Sequence, residues 1–140
     1  MTGVLADLRE AGVAVAVHTR AGGRHSGAVR ALGADFVALA AAATGQDVVV
    51  ALTALSSVRT RPGVPVVTGD RVVVASLHLV DVVAHLASER QQVRIVTAGG
   101  DAITVVVRSV GGDVAVVRGV GEPPSTTYVP LDAVSEVVVG

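Results

Sequence analysis

A chain of 140 residues that is 51% apolar has ample material for a packed interior; its twelve acidic and eleven basic residues leave a net charge of −1. The lack of any Cys excludes disulfides, thiolate metal sites and Cys nucleophiles, and there is no basic excess of the kind a nucleic-acid-gripping protein usually carries. The apolar residues are almost all Val, Ala and Leu, with Phe36 and Tyr128 the only aromatics, so branched aliphatic side chains must fill the core and strands are favoured.

At the start of the chain, Thr2 is placed to cap a short helix that turns Leu5 and Leu8 inward and ends at Gly12. Asp7, Arg9 and Glu10 interrupt the stretch where a secretory signal needs an apolar run, and no later run is long enough to span a bilayer. A cytoplasmic protein is expected. Alternation then predicts strands over 13–19, 24–32, 35–41, 47–52 and 56–60, with 21–23 as the first turn. Pro62, Gly63, Pro65 and Gly69 mark a linker over 61–75 with an extended segment inside it. Ser76 is placed to cap a second helix over 77–88, and strands follow over 92–97, 102–110, 113–118, 126–131 and 134–139.

The second series of elements is a copy of the first. An offset of 78 pairs Leu8 with Leu86, Val15 with Val93, Thr19 with Thr97 and Gly22 with Gly100. After one added residue, an offset of 79 pairs Val50 with Val129, Leu52 with Leu131, Ser56 with Ser135 and Val58 with Val137. Richness in Val and Ala alone would not also align the Gly and Asp punctuation. The clearest shared phrase is Arg-x-x-Gly-x-Asp, at Arg30, Gly33 and Asp35 and again at Arg108, Gly111 and Asp113. It reads as structural: Gly33 and Gly111 permit a positive φ or a close approach in the turn between second and third strands, and Asp35 and Asp113 accept N–H bonds across it. The organisation expected is residues 1–60 as one unit, 61–75 as linker and 76–140 as a second unit.

Polar clusters point weakly to chemistry. His78, Asp81 and His85 share one helix face, but two histidines so far apart converge poorly on a tetrahedral metal, and an ordinary solvated face has the same pattern. His18, Arg20, Arg24 and His25 surround the first turn and read as a solvated loop, with Arg24 a candidate contact for phosphate or an acidic partner. Arg30 and Arg108 read as guanidinium groups covering apolar wall or pairing with the nearby Asp, and alternatively as matched contacts for a partner or nucleic acid. No Gly-x-Ser-x-Gly elbow occurs, and the Gly22–Gly27 stretch lacks a Walker lysine, so neither an enzyme nor a bound cofactor is expected.

Helix, five short strands, a Gly-rich first turn, "GADFVAL" after the bent second strand and "VALTALSSV" or "VPLDAVSEV" at the end resemble the Sm-like fold. That family includes the Sm and Lsm proteins and the RNA chaperone Hfq, and the tandem arrangement is similar to a group of two-barrel actinobacterial proteins. The resemblance implies a mainly β chain of two Sm-like or SH3-like small barrels, each with an N-terminal helix. It also implies self-association through the edges of the fourth and fifth strands, making a homo-oligomer with room for a protein partner. RNA or single-stranded DNA binding is the alternative it implies. Against that stand Ala38, where the family's pocket places Asn, and the scarcity of aromatics for base stacking. A ligand held between the two barrels is a third reading.

Overall fold

The computed structural model describes every residue, Met1–Gly140. Helix α1 (Thr2–Glu10) buries Leu5 and Leu8 and packs on strands β1 (Ala14–Thr19) and β2 (Arg24–Leu32). Strands β3 (Phe36–Ala41), β4 (Asp47–Ala51) and β5 (Leu55–Arg59) follow, with a single 3-10 turn, Leu52–Ala54, between the last two. Helix α2 (Leu79–Glu89) buries Leu79, Val83 and Leu86 against β7 (Ala102–Gly111), which is preceded by β6 (Gln92–Thr97). Strands β8 (Val114–Gly119), β9 (Thr126–Pro130) and β10 (Val134–Val139) complete the chain, with a matching 3-10 turn at Leu131–Ala133.

The repeat read from the sequence holds element by element. β1 and β6 have equal length at an offset of 78, as do β3 and β8, while β4 and β9 and the two 3-10 turns are related by 79. The extra residue falls in the loop between β8 and β9, 120–125, which matches 42–46 between β3 and β4. Helix starts differ from expectation. Thr2 is the first helical residue and Met1 its cap position, while His78 rather than Ser76 caps α2, because the Asp81 carboxylate accepts the His78 N–H at 2.9 Å.

All ten strands form one antiparallel sheet in the order β5-β1-β2-β3-β4-β10-β6-β7-β8-β9. The sheet does not close on itself, and β5 and β9 are its two ends. Its strong curvature shows in register shifts at His18/Thr19, Val29/Ala31 and Val107/Ser109, where bulges bend the long strands. Two aliphatic cores result. One joins Leu5, Leu8, Val15, Val17, Val37 and Leu39 with Val48 and Val50. The other is built from α2 and β6–β10, yet also takes Phe36, Val49, Ala51 and Ala54 from the first half.

Between β5 and α2, the linker runs without regular structure and exposes Val66, Val72 and Val74. It crosses α1 at Gly3, where a Cβ would collide with the Gly69 backbone. Arg71 ties it down by an ion pair to Glu10 and a 3.0 Å contact to Asp7. The hydrogen bond and charge of Glu10, with Asp7 adding to them, raise the pKa of this guanidinium above its ordinary value. No helix is long and apolar enough to cross a membrane.

Candidate assembly interface

The two halves meet where β4 pairs with β10, in the register Asp47–Val139, Val48–Val138, Val49–Val137 and Val50–Glu136. This seam explains why β4 is a continuous apolar run instead of an alternating one. Val48 and Val50 face the first core, and Val49 and Ala51 face the second, so the strand is buried on both sides. The first half thus lends one face of its fourth strand, together with Phe36, to its neighbour's core.

One polar group is set into this seam. Glu136 is 2% exposed, and its Oε2 lies 2.5 Å from Nε2 of His25, a half-buried residue of β2 in the other half. The two atoms lie within salt-bridge distance without an aligned hydrogen bond. Gly23 makes room for the carboxylate, since a Cβ there would collide with Glu136 Oε1 and lie 2.9 Å from Thr19 Oγ1. His25 is therefore not part of a solvated loop, as its neighbours in the sequence suggest. Glu136 escapes sequence reasoning, although a lone charge within the Val-rich strand 134–139 was its signal.

A second contact between the halves comes from the repeated Gly-x-Asp phrase. Asp35 does not bond across its own turn: its Oδ1 accepts the backbone N–H of Leu79, the first residue of α2, at 2.7 Å. The adjacent Ala34 N–H donates to Leu77 O at 2.8 Å. Carboxylate and helix N-terminus suit one another, because the first turn carries unpaired N–H groups and partial positive charge. Gly33 is needed for close approach to the Phe36 ring, which a Cβ would strike. Gly111 corrects the expectation of equivalence: it has open space around it and no positive φ, and the left-handed residue there is Gly112 at φ 60°. Asp113 makes no side-chain hydrogen bond or salt bridge within the chain, although the backbone contacts match, Leu52 N–H to Asp35 O and Leu131 N–H to Asp113 O.

At the sheet's ends, the counterparts of β4 and β10 stand open. β9 matches β4, and β5 matches β10. Val129 is buried like its counterpart Val50, but Tyr128, the counterpart of buried Val49, is 69% exposed. The matched arginines also part company. Arg30 pairs with Asp47 at 2.6 Å, not with Asp35, whereas Arg108 and Arg24 are exposed and make no side-chain bond. His78 and Asp81 are engaged at the start of α2, and His85 lies 3.3 Å from Glu89, so the trio is not drawn together. An open groove of about 450 Å³ runs between α2 and β2–β4, apolar at Phe36, Ala38, Val82 and Leu86 and charged at Arg30 and Glu89. No family model matches the chain, and no curated protein and no solved structure is similar enough to count as a relative.

Proposed function

We propose that the chain is a non-enzymatic assembly unit of two Sm-like or SH3-like small barrels that self-associates head to tail, β9 of one copy pairing with β5 of the next. A single observation carries this reading. The β4–β10 seam joins two repeats inside the chain, and the same two strand types are left unpaired at its ends, with Tyr128 exposed where Val49 is buried. An open edge is a template for another strand. Transferring the internal register by the repeat offset gives Ser57–Val129, Val58–Tyr128, Arg59–Thr127 and Thr60–Thr126 between copies. A heterologous contact of this kind closes into a ring or grows as a filament. Burial of Tyr128 contributes about 1.5–3 kcal/mol per junction.

Light scattering on the purified chain should give a defined multiple of the monomer mass that ignores salt and added single-stranded RNA. The chain has no Cys, so Arg59→Cys with Thr127→Cys reads the register directly. Oxidation should yield a ladder of covalent multimers, and Arg59→Cys alone no more than dimers. A monomer at all concentrations would overturn the reading, and mass gained with RNA at low salt and lost at high salt would replace it with nucleic-acid binding.

A further inference from the structure

The start of β2 and the turn between β3 and β4 border an open groove of about 450 Å³ that the assembly reading does not use. Arg24 and His25 of β2, Thr44 and Gln46 of the turn, and Arg94 of β6 line it, and no carboxylate does. We propose that this groove binds a small dianionic phosphate, held by Arg24 from one half of the chain and Arg94 from the other. Arg94 reaches the groove only because the halves are joined. In the seam Val138 pairs with Val48 on one side and with Arg94 on the other, so the three stand side by side on one face, and all of them line the groove.

Two independent observations point to an anion. Both guanidinium groups are exposed and make no side-chain hydrogen bond or salt bridge within the chain, so their donors are free. The fold, moreover, does not require them. The repeat puts Ala102 in the place of Arg24, Ile103 in that of His25 and Ala16 in that of Arg94, so the matched strands form with apolar side chains at all three positions. The buried Glu136 carboxylate engages Nε2 of His25 and does not line the groove, which leaves Nδ1 as the imidazole nitrogen free for a ligand. The Thr44 hydroxyl accepts the Gln46 N–H at 3.2 Å and keeps its own hydrogen to donate. Guanidinium forks match the oxygens of a phosphate in geometry as well as in charge. Two of them balance a dianion, whereas the singly charged phosphates of a nucleic-acid backbone call for a longer basic track than two arginines supply.

The test titrates the full-length chain with inorganic phosphate and with adenosine monophosphate by calorimetry, in a phosphate-free buffer at fixed ionic strength. Saturation of one site per chain is expected, with the backbone amide signals of Thr44 and Gln46 moving most. Binding of inorganic phosphate alone assigns the free ion, and tighter binding of adenosine monophosphate assigns a phosphate monoester. Arg24→Gln and Arg94→Gln should each weaken binding about tenfold, the loss expected for one charge-assisted contact. Neither should change the melting temperature of the unliganded chain, because neither side chain has a partner to lose. Arg108→Gln, which alters an equally exposed arginine outside the groove, should bind like the parent. No saturation by either probe below about 10 mM, or equal affinity in the parent and both groove variants, overturns the site. Malonate binding as tightly as phosphate would overturn the assignment to phosphate. An oligonucleotide without terminal phosphates that binds more tightly than both probes, with the same dependence on Arg24 and Arg94, would replace the dianion with a nucleic-acid backbone.

Discussion

The fourth strands of the two halves occupy the same place in the repeat and have opposite surroundings. β4 reads DVVVA and is buried on both faces between two cores, while β9 reads TTYVP and buries only Val129. The difference lies in what each strand meets. β4 has β10 beside it within the chain, and β9 ends the sheet. Composition differs with surroundings: Thr and Pro stand on the open edge, where they limit indiscriminate strand pairing. Tyr128 is the exception, a large side chain left in water at the position that the first half uses to reach its neighbour's core. The same asymmetry runs through the Gly-x-Asp phrase, since Asp35 has found its helix and Asp113 has not.

The comparison can be broken most severely at the inner seam. His25→Ala leaves the Glu136 carboxylate buried without its partner and should cost about 3 kcal/mol, or roughly 10 °C in thermal unfolding. Ile103→Ala, at the matched position and only partly buried against the second core, should cost clearly less. A His25→Ala protein melting within a degree or two of the parent would show that the pair does not hold the halves together.

The turn glycines sharpen the contrast at a smaller scale. Gly33→Ala drives a Cβ into the Phe36 ring and should destabilise by about 1–3 kcal/mol. Gly111→Ala meets open space at an ordinary backbone angle and should stay within about 0.5 kcal/mol of the parent in urea titration. Equal losses at both sites would mean that the two turns are packed alike. The arginines should show the smallest difference. Arg30→Ala removes an exposed ion pair with Asp47 and should cost no more than about 0.5 kcal/mol, and Arg108→Ala should cost nothing measurable. A larger loss at Arg108 would reveal a contact beyond the single chain.

The sequence by itself determined the repeat, the order of helix and five strands in each half, and most strand limits to within a residue. It could do so because alternation along a strand and turn punctuation are local properties, written at each position by burial on one face and by backbone freedom. β6 and β10 match their expected spans, and Val13, Asp35 and Leu52 fall just outside the strands predicted to contain them. Only the tertiary structure decided that β4 and β10 join the halves into one sheet, that Asp35 bonds a residue 44 positions away, and that His25 turns inward to Glu136. Backbone hydrogen bonds between strands are the same for every residue type, so the identity of a partner strand leaves little trace in either sequence. Long-range pairing is chosen by which faces can be buried together, and that choice exists only once the chain has folded.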